Sequence, residues 1–475
     1  MKVALVLPPF SAKGAEEGAD SFGKMRPWPP LGLGMLASVL ENRGHRPVIL
    51  DAIVRRHSVN GLAEALLAEK PDVLGISCIT ICAPACHELA RIVRARSPRC
   101  LIVIGGPHIT CFQEHALSEC PEADVAVPGE AEYVFADLVD AHAGGLSPQS
   151  VAGLFCRDEK GDVVSTGPTH FHRELDTLPN PAWALFDRHL YKALVNQSRR
   201  SPAANVITAR GCPWARCAFC YNGGRFAYPY RRRSPENVLG EIKMLVQVYG
   251  YREITFWDDD FCNDNAWVTR FCDLLEAENV DITWSVQARV TSISEALLAR
   301  MAARGCYNIF FGLESGNQEL LNLVKKGITL DLSRKAVAAA RKAGMEARAS
   351  FMLGLPTETP EMSLKTIRFA CELNLDYVVF VPFHPQKGTC LEELALARGR
   401  VIPVEKFNMV APTYCPDSYP SPEALDRMVR RAYMRYYLRP RFILLALGRL
   451  RHGGGIRGIA EGMGHLAALV FRRNP

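Results

Sequence analysis

Ala209-Arg210-Gly211-Cys212-Pro213-Trp214-Ala215-Arg216-Cys217-Ala218-Phe219-Cys220 places three cysteines in one loop, directly behind the apolar segment Asn205–Ala209 that reads as a β-strand. Further strand-like segments follow at Glu253–Trp257, Ile282–Val286, Asn308–Gly312, Ala347–Leu353 and Tyr377–Val381. Between them the apolar residues recur with helical spacing, at about Pro235–Tyr249, Ala266–Glu278, Ser294–Arg304, Leu332–Lys342 and Pro360–Leu373. Six such units predict a partial (β/α)6 barrel, and a barrel carries its chemistry on the loops at the strand C-terminal ends. The cysteine loop therefore stands at the rim where a reactive site belongs.

Outward from that loop, the first part of the chain alternates in the same way. Lys2–Leu7, Pro47–Asp51, Val73–Ser77, Leu101–Ile104 and Asp124–Val127 read as strands, with helices between them. Alternation of this kind predicts a doubly wound, Rossmann-like α/β domain whose ligand sits beyond the strand C-terminal ends. Ser77 and Thr80 follow the third strand and Gly105-Gly106-Pro107-His108 the fourth, so a ligand could approach the backbone closely there. The expected organisation is a Rossmann-like domain over 1–145, a linker with a hairpin over 146–200, the barrel over 201–395 and a mainly helical region over 396–475.

Bulk properties exclude several classes. A net charge of +6 on 475 residues is too small and too dispersed to demand nucleic acid. The N-terminal apolar stretch is broken by Pro8 and Pro9, and no apolar run approaches the ~20 residues that span a bilayer. A cytoplasmic protein is the expectation, and in a reducing compartment its 16 cysteines are thiols or metal ligands rather than disulfides.

Three thiolates in one loop suit an iron–sulfur cluster: soft ligands at tetrahedral iron, with three of four irons held and one left open for a ligand. A structural zinc ion would want a fourth donor, and after Cys220 no cysteine or histidine occurs until Cys262, although a distant residue could fold back. Cys78, Cys82 and Cys86 recur at helical spacing and read as small buried apolar residues.

With these motifs in order, the chain from Lys2 to about Leu391 resembles the radical S-adenosylmethionine (SAM) enzymes that have an N-terminal cobalamin-binding domain, a group including the anaerobic Mg-protoporphyrin IX monomethyl ester cyclase and B12-dependent methyltransferases. The resemblance implies that Cys212, Cys217 and Cys220 hold a [4Fe-4S] cluster whose open iron chelates SAM, which is cleaved to a 5′-deoxyadenosyl radical. The usual triad has three residues between its first two cysteines, and this one has four. Phe219 corresponds to an aromatic that contacts adenine. Asp258 and Asp259, in Asp258-Asp259-Asp260-Phe261, fall where the family meets the SAM amino end, and Glu314 and Ser315, in Gly312-Leu313-Glu314-Ser315-Gly316, where it meets the ribose. Gly354 and Glu358 fall near the adenine. Arg289 is an expected partner for the SAM carboxylate.

The same resemblance places Ser77, Thr80, Gly105 and Gly106 against cobalamin, without the Asp-x-His-x-x-Gly motif that supplies an axial histidine elsewhere. The expected partners are a small-molecule substrate and a reducing protein such as flavodoxin or ferredoxin. Methyl transfer to an unactivated carbon is the preferred reaction, a radical cyclisation or oxidation the second, and a non-catalytic iron–sulfur or cobalamin-binding protein the third. The Arg/Tyr-rich helix Pro422–Leu438, with the apolar Phe442–Leu447, could meet a membrane surface, but packing on the barrel is the favoured reading.

Overall fold

The computed structural model describes residues 1–10, 28–169, 171–192, 198–223, 228–402, 410–440 and 442. These form two compact units, Met1–Ala193 and Leu194–Pro475. The end of the helical region expected over 396–475, and the apolar run after Phe442, lie outside the described residues.

The first unit runs β1 (Lys2–Leu7), α1 (Leu31–Asn42), β2 (Arg46–Asp51), α2 (Ala52–Arg55), α3 (Val59–Ala68), β3 (Val73–Ser77), α4 (Ala83–Arg96), β4 (Leu101–Gly105), α5 (Pro107–Phe112), α6 (Glu114–Ser118), β5 (Val125–Val127), α7 (Glu132–Ala143), β6 (Phe155–Arg157) and β7 (Val163–Ser165). The sheet order is β2-β1-β3-β4-β5-β6-β7, parallel through β5 and antiparallel beyond. This 2-1-3-4-5 order is the flavodoxin-like kind of doubly wound sheet. Apolar clusters cover both of its faces: Val6, Leu74, Ile76 and Ile104 with α3 and α4 on one, Val3, Leu5 and Val103 with α1 and α7 on the other. Burial on both faces is why these strands read as continuous apolar runs. The expected hairpin is present as β6 and β7, which extend this sheet.

The second unit runs β8 (Ala203–Val206), β9 (Ala209–Arg210), β10 (Arg231–Arg232), α8 (Pro235–Gln247), β11 (Glu253–Phe256), α9 (Asn265–Ala277), β12 (Thr283–Ala288), α10 (Glu295–Ala303), β13 (Cys306–Glu314), α11 (Gln318–Leu323), α12 (Leu330–Lys342), β14 (Glu346–Leu353), α13 (Pro360–Leu373), β15 (Tyr377–Pro382), α14 (Glu392–Ala397), β16 (Gly399–Val401), β17 (Tyr414–Pro416) and α15 (Pro422–Tyr437). Six parallel strands lie side by side in the order β8-β11-β12-β13-β14-β15, the partial barrel the sequence predicts. Its helices start where local chemistry tells them to. Ser234, Thr359 and Ser421 each cap a helix with the side-chain oxygen, and each is followed by Pro at the first helical position and then Glu. The cap satisfies an orphan backbone N–H, Pro has none to waste, and the acid meets the positive end of the helix dipole. The helix α15 packs on the barrel: Tyr433 and Tyr437 hydroxyls donate to or accept from the backbone of β15, and the Tyr436 hydroxyl donates to the Leu375 carbonyl. No helix among the described residues is long and apolar enough to cross a membrane.

Candidate functional site

The cysteine loop leaves β9 at the C-terminal rim of the barrel and is tied down by its own backbone. Cys220 N–H donates to the Cys217 carbonyl (3.1 Å) and Gly223 N–H to that of Cys220 (3.0 Å). Cys217 is buried, while Cys212 and Cys220 are half-buried.

A single zinc holds sulfurs at about 2.3 Å, which limits two of them to about 4.6 Å apart. Among the described residues only Cys78, Cys82 and Cys86 bring three such donor atoms within 4.8 Å of one another. The three sulfurs of the 212–220 loop are not all within that distance of one another.

Three successive carbonyls hold this loop and the arginine stacked on it. Ala218 N–H donates to Val324 O (2.9 Å), Trp214 Nε1–H to Lys325 O (3.0 Å), and Arg289 Nη2–H to Lys326 O (2.8 Å). The Arg289 guanidinium also lies 4.6 Å from the Trp214 ring centre. Gly327 follows at φ +70°, and a Cβ there would collide with the Trp214 ring. Only glycine lets the ring lie so close.

Lys326, which the sequence reading did not single out, is a second buried cation at the site beside Arg289. Its ammonium stands 2.7 Å from Glu314 Oε1 and 5.8 Å from the Phe219 ring centre. Desolvation works against the charge, but Glu314 and Cys217 outweigh it and hold the Lys326 pKa above its ordinary value. Burial pushes the Cys217 thiol up, opposed by Lys326 and Arg289, and pushes Cys220 up to about 11. Buried thiols like these become good thiolate ligands when cationic iron arrives. Lysine and arginine beside them offset the negative charge that follows.

Of the expected SAM residues, the structure separates those that face outward from those that build the rim. Asp258 is fully buried: its Oδ1 accepts from Thr208 N–H, Thr208 Oγ1–H and Ala209 N–H, tying the end of β11 to the exit of β8. Asp260 accepts from Arg289 N–H and the Ser292 hydroxyl. Asp259 between them is exposed, accepts from Asn222 Nδ2 (2.7 Å), and acts electrostatically on Cys220. It is the carboxylate open to an ammonium beside the cysteine loop.

Glu314 ends β13 at φ +64°, where the pairing with β14 skips a residue. That left-handed conformation, unfavourable for a side-chain-bearing residue, turns the carboxylate onto Lys326. Ser315 is buried, its hydroxyl accepting from Asn317 N–H and standing 3.3 Å from Thr366 Oγ1, so it joins β13 to α13. Glu358 is likewise buried and accepts from Leu355 N–H and Ser363 Oγ–H, shaping the loop after β14. A Cβ on Gly354 would meet the Leu425 side chain of α15 at 2.6 Å, so glycine is needed there for helix packing. Phe219 packs against the apolar cluster to which Met352 and Leu355 belong.

In the first unit Ser77 and Gly105 are direct neighbours across β3 and β4 at their C-terminal ends. A Cβ on Gly105 would meet only the Val127 carbonyl, at 3.5 Å, so the edge is open at that point, and Gly106 turns away at φ +98°. Thr80 is exposed on the adjoining loop. This glycine-lined edge lies next to the β1/β3 switch point, where such sheets take their ligands, and suits a large flat group. Asp51 is buried, caps α2 and accepts from the Tyr191 hydroxyl (3.2 Å).

Residues 26–139 match the B12 binding domain family and residues 206–370 the Radical SAM superfamily. The chain is 32% identical to Uncharacterized methyltransferase PH0819 of Pyrococcus horikoshii over 94% of each chain. It is 28% identical to the Anaerobic magnesium-protoporphyrin IX monomethyl ester cyclase of Rubrivivax gelatinosus, over 93% of this chain and 78% of that one. In fold it is similar to the radical S-adenosylmethionine methyltransferase TsrM of Kitasatospora setae, at 18% identity and a TM-score of 0.69, covering 90% of this chain and 82% of that one.

Proposed function

The chain belongs to the radical SAM enzymes that carry an N-terminal B12-binding domain, and from that membership we propose a cobalamin-dependent methyltransferase acting on an unactivated carbon of a small molecule. What carries the reading is the end-to-end likeness to a methyltransferase, in a chain whose three-cysteine loop stands at the barrel rim. In this reading Cys212, Cys217 and Cys220 each hold one iron of a [4Fe-4S] cluster, and Ser77, Thr80, Gly105 and Gly106 line the cobalamin edge. When bound, the cluster supplies the electron that opens the SAM sulfonium to a 5′-deoxyadenosyl radical, and cobalamin supplies a carrier for the methyl group.

The protein's own residues bind and orient. Asp259 accepts from the SAM ammonium. Phe219 offers a flat apolar face to adenine, and Glu314, fixed by Lys326, an acceptor to the ribose hydroxyls. Arg289 and Lys326 offset the charge gathered around Cys217. Asp258, Asp260, Ser315 and Glu358 hold the rim loops in register, and Gly354 seats α15. A reducing protein such as flavodoxin or ferredoxin supplies electrons.

A radical cyclisation or oxidation without net methyl transfer is the second reading, favoured by the likeness to the Mg-protoporphyrin ester cyclase. Anaerobic reconstitution, iron and cobalt counting, and product mass spectrometry with methyl-labelled SAM decide between them. S-adenosylhomocysteine together with label in a third product supports methyl transfer. 5′-Deoxyadenosine without S-adenosylhomocysteine favours the cyclase type, and no SAM cleavage after reduction overturns both.

A further inference from the structure

Cys78, Cys82 and Cys86 are buried as expected, but they do not share one helix: Cys78 lies ahead of it, and the chain folds it back onto the other two. Their three sulfurs lie within 4.8 Å of one another, and those of Cys82 and Cys86 are 3.6 Å apart. Tetrahedral zinc with sulfurs at about 2.3 Å sets them about 3.8 Å from each other, so the trio needs only small side-chain shifts to converge on one ion.

The trio is held by its surroundings. Cys78 directly follows β3, and its N–H donates to the Gly105 carbonyl (2.7 Å) while its carbonyl accepts from His108 N–H (3.0 Å). Cys82 and Cys86 sit where α4 begins, and Ile79 N–H donates to Cys82 Sγ (3.3 Å). The His108 ring is buried beside them, its Nδ1 3.3 Å from the Thr80 hydroxyl and its Nε2 without a hydrogen-bond partner. The nearest carboxylate to that Nε2 is Glu119, at 3.8 Å.

We propose that Cys78, Cys82 and Cys86 form a second metal site, separate from the 212–220 loop, that takes one thiophilic divalent ion, Zn2+. Three soft sulfurs with no oxygen donor among them select against Mg2+, Ca2+ and Mn2+. Three thiolates buried without a cation would be prohibitive, and a divalent ion leaves one net negative charge where a monovalent one leaves two. Binding breaks three S–H bonds, releases three protons to solvent and forms three zinc–sulfur bonds, with no change of oxidation state. The ion would brace the 77–86 loop, which carries Ser77 and Thr80 to the sheet edge.

The test uses the full-length chain and its C212A/C217A/C220A form, both stripped of metal anaerobically and titrated with Zn2+ alone and with Co2+ as its coloured stand-in. The expected result is one tightly held ion per chain in the C212A/C217A/C220A form, with thiolate-to-cobalt charge transfer, loss of the Co2+ colour on adding Zn2+, and three sulfurs in the zinc-edge X-ray absorption shell. Cys82→Ala and Cys86→Ala in that background lose the ion, while Cys272→Ala, a buried thiol elsewhere, keeps it. Should the cysteine variants fail to fold, the sulfur count of the C212A/C217A/C220A form alone decides. No retained ion, fewer than three sulfurs, an ion that survives Cys82→Ala, or a Cys82–Cys86 disulfide overturns the proposal.

Discussion

The Lys326 ammonium lies 2.7 Å from the Glu314 carboxylate, and both side chains are buried at the rim that carries the cysteine loop. The pair joins two functions. Glu314 ends the strand that the proposed function sets beside the ribose, and Lys326 raises the positive potential at Cys217.

Lys326→Met should therefore act on stability and on the metal centre together. Leaving the Glu314 charge buried and unpaired costs about 3–5 kcal/mol, whereas removing both charges in Lys326→Met/Glu314→Leu restores most of it. Thermal unfolding of the three proteins checks this. Iron retention after reconstitution should fall in both variants, because each lacks the cation beside Cys217; full iron in the double variant would show that Lys326 matters only for folding.

The three consecutive aspartates make a second, sharper comparison. Asp259→Asn should weaken SAM binding about tenfold or more while iron content stays unchanged, because it removes an exposed charge from a charge-assisted contact. Asp258→Asn should leave SAM affinity within error, since that side chain faces Thr208 and Ala209. Equilibrium binding of SAM to reconstituted protein separates them, and equal effects at both positions would contradict the placement.

What was legible in the sequence follows the range over which each signal acts. The Ser-Pro-Glu and Thr-Pro-Glu helix starts, the alternating strands and the cysteine loop are local, and they lie where their patterns put them. Lys326 was not legible, because its partners Glu314, Phe219 and Cys217 arrive from separate parts of the chain, and an isolated Lys-Lys-Gly looks like a solvated turn. Nor could the sequence divide Asp258 from Asp259: the alternation of a strand says that neighbours point apart, but only the Thr208 contacts say which one points inward. Gly354 reads as a neighbour of the adenine until α15 is in place, because Leu425 comes from a helix far along the chain whose docking point on the barrel no local pattern fixes.

Gly327→Ala should disturb the metal centre without touching a ligand. The new methyl group would collide with the Trp214 ring, and the residue would be held at φ +70°. The loop must move, so iron retention and SAM cleavage should fall severalfold. Gly344→Ala has a similar φ of +77° but nothing within 4 Å of its Cβ. It should lower stability by about 1 kcal/mol from backbone strain alone and keep full iron. Parallel iron assays and melting curves test the pair, and equal iron loss in both would mean that backbone strain, not the ring contact, is responsible.

Glu358 gives the stability a pH dependence whose sign can be worked out. Burial pushes its pKa up to about 7, against hydrogen bonds from Ser363 and Leu355 that favour the charged form. The unfolded chain titrates near 4.5, so between that value and about 7 the folded protein holds a proton that the unfolded chain has released. Stability from this group is complete below the lower value and is lost as pH rises through the upper one. Glu358→Gln cannot charge, and it keeps an oxygen for one of the two donors. Its stability relative to the parent should climb as pH rises from 4.5 to 7 and then level off, with a total change on the order of 3 kcal/mol. Urea unfolding at several pH values across that window measures the difference; a parent and variant whose curves stay parallel would mean that Glu358 is charged throughout, stabilised by the loop it organises.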